Sequence, residues 1–203
     1  MKTTKLLIAV TLSCVLFISF SGCREKKKPE EQNTKAKPDS AMSQAQLIKR
    51  GSYLVNTLGG CGDCHTPKNL TPKGPEYIQA LSLSGYRADS KLPPVDKNAL
   101  KKGWLLFTPD LNAFVGPWGV SFAANITSDA SGIGNWPEEN FIRAVKQGKF
   151  KGIEGGRTLL PPMPWQNFAN ISDEDVKAMY AFLKSTPPVS NIVPMAIAPD
   201  DIK

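Results

Sequence analysis

Cys61 and Cys64 stand two residues apart in GGCGDCHTPK (59–68), and His65, the only histidine of the chain, directly follows the second thiol. Two thiols at this spacing can add across the two vinyl groups of one porphyrin, and the adjacent imidazole then falls beneath its metal. Cys61 and Cys64 are therefore expected to tether one haem c covalently, with His65 as the proximal iron ligand. Zinc lacks a ligand. Cys14 lies in the leader and Cys23 at its end, so residues 24–203 offer two thiols and one imidazole where a closed zinc site takes four groups. A thioredoxin-type CxxC normally follows a strand, whereas a helical pattern precedes this one.

A single histidine rules out bis-histidine ligation within the chain, so a soft thioether is the natural distal ligand. The five methionines sort by position. Met1 belongs to the leader, Met42 to a polar tether, and Met179 to the apolar stripe of the last helical segment. Met163 sits in LLPPMPW, where Pro161, Pro162 and Pro164 stiffen the backbone and limit the entropy lost in presenting the sulfur. Met195, in IVPMAIAP, is the runner-up, with packing of the tail as its preferred role. Histidine and methionine together close the iron to substrate, and the chemistry left is one-electron transfer.

Three helices can be read from periodicity. The first covers about Gln44 to Leu58, with Ser43 before it as a cap and Leu47, Ile48, Leu54, Val55 and Leu58 on one side. It leads directly into the cysteines. The second, PEENFIRAVKQG (137–148), opens on proline and two glutamates and closes at glycine. The third, SDEDVKAMYAFLKSTPP (172–188), pairs Ser172 with Asp175 at capping-box spacing and places Val176, Met179, Tyr180 and Leu183 on one face. Between His65 and Asn135 no helical period persists. An ordered loop is expected there, with a short hairpin formed by WLLF (104–107) and WGVSF (118–122).

Residues 1–22 read as an export signal: two lysines, then a fifteen-residue uncharged apolar run from Leu6 to Phe20, then small residues. FSGC (20–23) resembles a bacterial lipobox, which implies a lipid on Cys23. An ordinary cleaved signal with a free Cys23 is the other reading. Residues 23–42 are charged and poor in apolar groups, as befits a tether that relaxes to about 25 Å and extends to at most about 60 Å. The folded domain is then 43–203. Of the formal charge of +7, only +3 belongs to that domain, in which 17 basic residues face 14 acidic ones, so no nucleic-acid partner is expected. The basic run after Cys23 suits anionic lipid headgroups, with a plain solubilising run as the alternative.

From about Ser43 to Pro188 the chain resembles class I c-type cytochromes: a helix entering CGDCH, a loop, a methionine segment and a capped last helix. AANITSDASGIGNW, FIRAVKQGK and LLPPMPWQNFANISDEDVKAMYAFLKSTPPV further resemble exported bacterial cytochromes related to the haem subunits of membrane dehydrogenases. The resemblance implies an all-α, cytochrome c-like fold around one covalent haem. It implies that the first and last helices cross, with Gly51 as the small contact and Tyr180 as the aromatic one, and that Met163 occupies the distal ligand position. It also implies that a proline carbonyl, here that of Pro75, accepts the hydrogen bond of the proximal histidine. Trp118, Trp136 and Trp165 are expected in the core or against the haem. Arg157 is expected either at a propionate or in solvent.

The resulting expectation is an electron-transfer protein rather than an enzyme. It would pass electrons between a dehydrogenase or quinol-oxidising complex and an oxidase, on the extracytoplasmic (periplasmic) side, anchored to the membrane through Cys23. A haem enzyme or gas sensor with an open sixth position is the second reading. A haem subunit active only inside a larger complex is the third.

Overall fold

The computed structural model describes residues 42–203. The expectations for the 1–22 signal, for Cys23 and for all but the last residue of the tether lie outside the described residues. Helix α1 (Gln44–Tyr53) starts where Ser43 closes a capping box. The Ser43 hydroxyl accepts from the Gln46 N–H at 3.3 Å, and the Gln46 side chain accepts from the Ser43 N–H at 2.8 Å, satisfying two otherwise orphaned donors. The helix runs into a π-helical turn (Leu54–Leu58) that the Gly59 N–H closes on the Leu54 carbonyl at 2.7 Å. Gly60 then takes a left-handed conformation (φ 54°), which reverses the chain and starts the one-turn helix α2 (Cys61–His65).

Helix α4 (Glu138–Gln147) ends at Gly148 (φ 62°), and α6 (Asp173–Ser185) is capped by the Ser172 hydroxyl accepting from the Asp175 N–H at 3.1 Å. Three carboxylates in the first turn of α6 complement its dipole. Helices α1 and α6 cross at the buried Gly51, where a Cβ would stand 1.9 Å from the Ala178 carbonyl oxygen. Beside the crossing, the Arg50 guanidinium forks onto the Asp175 carboxylate at 2.8 and 3.0 Å. The core beneath joins Leu54 and Val55 to Val176, Met179 and Leu183 of α6 and to Phe141 and Val145 of α4. Full burial of each such side chain contributes roughly 1.5–3 kcal/mol. Tyr180 packs on Phe141 at 5.6 Å between ring centres, and its hydroxyl donates to the Trp136 carbonyl at 2.7 Å.

The all-α expectation is corrected: the described residues form a mixed fold of helices and two small antiparallel sheets. Strands β1 (Lys68–Thr71) and β2 (Gly74–Tyr77) make a hairpin straight after the cysteine helix. Strands β3 (Leu106–Phe107), β4 (Ala113–Gly116) and β5 (Gly119–Phe122) make a three-stranded sheet. The expected hairpin between 104–107 and 118–122 is likewise corrected, because each of these segments pairs with β4, which lies between them. Helices α3 (Lys97–Lys101) and α5 (Trp165–Phe168) are single turns that periodicity cannot reveal.

The strands are too short to show an alternating pattern, and partners distant in sequence stabilise them. Val115 and Val120 pack under Ile202 and Ile197 of the C-terminal tail, and Ile197 exchanges backbone hydrogen bonds with Val120 at 2.8 and 3.0 Å. Among the described residues no helix is long and apolar enough to cross a membrane.

Candidate functional site

Helix α2 brings three of the expected residues together. Cys61 and Cys64, at i and i+3 of one turn, share a face and are free thiols, and His65 follows on the next residue. Burial pushes the Cys61 thiol up to about 11 and raises that of Cys64, so both stay protonated at neutral pH. The His65 Nδ1 lies 2.7 Å from the Ala124 carbonyl oxygen. A carbonyl can only accept, so Nδ1 carries the proton and Nε2 keeps its lone pair for a metal. Burial lowers the imidazole's affinity for a second proton, and the bond to Ala124 opposes that shift without adding a base.

The expected acceptor, Pro75, is therefore corrected. Pro75 is an exposed residue of β2, paired with Leu70, and the carbonyl that orients the imidazole belongs to Ala124, just past β5. Gly85 makes room for it. At φ 76°, its missing Cβ would sit 2.6 Å from the Ala124 oxygen, while its own N–H donates to the His65 carbonyl at 2.7 Å. Any side chain here would push away the carbonyl that orients the imidazole.

The C-terminal end of α2 exposes carbonyls, and two side chains that the sequence did not single out cover them. The Lys68 ammonium donates to the carbonyls of Asp63 at 2.5 Å, Asp110 at 2.7 Å and Thr66 at 3.3 Å. The buried Asn112 amide donates to the Cys64 carbonyl, and its own carbonyl oxygen is left without a protein partner. A cation and an amide at this end oppose the partial negative charge of the turn.

The Tyr77 hydroxyl, on β2, donates to the Asp63 carboxylate within the motif. That bond pushes the Tyr77 phenol up to about 12. In the unfolded chain the phenol ionises near its ordinary value, so the bond's contribution is complete below about pH 10 and is lost as the pH rises towards 12. An NMR titration of the tyrosine rings should find Tyr77 ionising late, towards pH 12, with burial also raising Tyr86 and Tyr180, and Tyr77→Phe should remove the Tyr77 resonance together with this part of the alkaline loss of stability.

Met163 stands on a different segment, part-buried between Pro162 and Pro164. The segment is tied down on both sides. The Pro161 carbonyl accepts from the Ser121 hydroxyl of β5 at 2.5 Å, and the Trp165 N–H donates to the Met163 carbonyl at 2.9 Å. The Trp165 ring lies on Gly148, where a Cβ would clash with it at 2.3 Å. The other methionines divide cleanly: Met179 is 4% exposed in the core, as expected of a packing residue, whereas Met195 is 71% and Met42 38% exposed.

Trp118 donates its indole N–H to the Ser121 hydroxyl at 3.2 Å, and Trp136 packs on the helical core. The Arg157 guanidinium carbon stands over the Phe150 ring, 3.8 Å from its centre, and the guanidinium donates to the Thr158 carbonyl. Of the lysines in 145–152, Lys146 pairs with Asp173 of α6.

A pair of neutral thiols on one face of a turn, with an imidazole presenting a bare Nε2 beside them, fits a covalently attached iron porphyrin. The sequence comparisons point to the same class, that of cytochrome c-like proteins. The chain is 32% identical over 137 residues to the cytochrome c subunit of the quinone-dependent alcohol dehydrogenase of Gluconobacter oxydans, an alignment covering 67% of this chain and 20% of that one. It is 31% identical over 146 residues to the gluconate 2-dehydrogenase cytochrome c subunit of Pantoea cypripedii (71% and 24%), and 27% identical over 139 residues to the fructose dehydrogenase cytochrome subunit of Gluconobacter japonicus (68% and 22%). The alignments span about a fifth to a quarter of the length of these relatives. No family model matches.

Proposed function

We propose that this chain is a one-electron carrier with a single haem c held by Cys61, Cys64 and His65, and with Met163 as the second axial ligand. The observation that carries the reading is the bond from His65 Nδ1 to the Ala124 carbonyl, which leaves Nε2 unprotonated beside two free thiols. When bound, the haem supplies a ferric/ferrous couple. The chain's residues supply the rest. Ala124 and Gly85 hold the imidazole plane, Asn112 and Lys68 hold the turn that carries the thiols, and the Pro161–Pro164 segment presents a thioether on a stiff backbone.

The relatives named above are cytochrome subunits of dehydrogenases, which supports a dehydrogenase as electron donor and a role as carrier rather than catalyst. An oxidase or similar acceptor on the other side completes the path. The leader-like residues 1–22 and the lipobox-like FSGC support an extracytoplasmic site of work, with a lipid on Cys23 keeping the domain at the membrane.

The test is covalent attachment and stoichiometry in a host that matures c-type haems. The folded wild-type protein should titrate reversibly with one electron, and after denaturation it should retain one iron porphyrin per chain through acidic solvent extraction. Cys61→Ser/Cys64→Ser should lose essentially all of the retained colour. Extraction of the haem from the wild type would defeat the proposal.

A further inference from the structure

The residue that aims His65 and the residue that ties down the Met163 segment belong to one stretch of chain. Ser121, on β5, donates its hydroxyl to the Pro161 carbonyl at 2.5 Å, and Ala124 accepts from His65 Nδ1 at 2.7 Å. Three residues of chain span at most about 10 Å, so residues 121–124 set the spacing between the two ligand-bearing segments. The Ser121 hydroxyl is itself held. It is only 8% exposed, and it accepts from the Trp118 indole N–H at 3.2 Å. The strand around it is pinned by the tail, through the Val120–Ile197 pair, and by β4 through the Phe114–Ser121 pair.

We infer that Ser121, polarised by Trp118, is a positioning residue that latches the Met163 segment to β5. The inference rests on the reading of Met163 as the distal ligand. It adds that the sheet, and not the proline run alone, decides how long the thioether stays in place. The prolines restrict the shape of the segment, but they cannot fix its distance from His65. A hydrogen bond to a strand that ends at the imidazole's own acceptor can do so.

Loss of the hydroxyl leaves the Pro161 carbonyl and the Trp118 N–H unpaired in a part-buried place, and one such bond contributes about 0.5–1.5 kcal/mol. The population with the methionine segment undocked should therefore rise about three- to tenfold.

The experiment measures the rate at which imidazole binds the ferric holoprotein. Ser121→Ala should bind it about three- to tenfold faster than wild type, and Ser121→Thr, which keeps the hydroxyl, should return close to the wild-type rate. Trp118→Phe should give a smaller increase. Amide exchange supplies a second readout: the Trp165 N–H, bonded to the Met163 carbonyl, should exchange faster in Ser121→Ala while the amides of α6 do not.

If the wild type shows the iron–methionine band and Ser121→Ala changes neither rate, the latch is overturned and the ligand assignment survives. If the wild type lacks that band, the ligand assignment falls and takes the latch with it. If Ser121→Ala does not fold, Trp118→Phe decides the matter by the same two readouts, and unchanged rates again overturn the latch.

Discussion

Met163→Ala should abolish the weak far-red absorption band of the ferric protein and convert its spectrum towards high spin. The midpoint potential should fall as well, because the thioether favours the reduced state. Reduced protein carrying this substitution should bind carbon monoxide rapidly, whereas the wild type should resist it. The competing methionines make the outcome decisive. Met179 is locked into the core beside Val176 and Leu183, and Met195 and Met42 lie largely in solvent. A band that survives the substitution would move the ligand elsewhere. Rapid carbon monoxide binding by the wild type would favour an open iron site, and hence a haem enzyme or gas sensor.

Gly51→Ala should destabilise the domain by about 3 kcal/mol and lower its melting temperature by roughly 6–12 °C. Helix propensity alone predicts the opposite sign, since alanine exceeds glycine by about 1 kcal/mol in a helix interior. Geometry overrides it. The new methyl would meet the Ala178 carbonyl oxygen at 1.9 Å and the Phe182 Cβ at 2.7 Å, and a backbone carbonyl inside α6 cannot swing away as a flexible side chain can. The helices must separate, which loosens the packing of Val55 on Val176 and the Arg50–Asp175 fork. Thermal unfolding followed by far-UV circular dichroism measures the effect, and Ala45→Gly, on the exposed side of α1, should cost only about 1 kcal/mol. A Gly51→Ala protein as stable as wild type would mean that the helices do not meet in this way.

The helices that frame the site were legible because their signals are local. Ser43 with Gln46, Ser172 with Asp175, and Gly148 are caps, and each works within one turn of the residue that reveals it. The cysteine motif was legible for the same reason, as two residues of spacing place both thiols on one face of α2. The all-α expectation failed where signals are not local. β4 is four residues of AFVG between a turn and another turn, and it is a strand because β3 and β5 flank it and Ile197 and Ile202 cover that sheet. A short apolar run cannot announce a partner some eighty residues away.

Composition and spacing alone determined which atoms can do chemistry here: two thiols, one imidazole and a small set of thioethers, arranged for a tethered porphyrin. Tertiary structure decided how those atoms are aimed. The imidazole takes its tautomer from Ala124 rather than from Pro75, though Pro75 is the nearer of the two in sequence, because a hydrogen bond is settled by which carbonyl arrives within 2.7 Å. The Met163 segment depends in turn on Ser121 for its place, a serine with no feature in the sequence to distinguish it from its neighbours. Reactivity is a property of side chains and can be read from a list of them. Orientation depends on distances between segments remote in sequence, and those exist only once the chain has closed on itself.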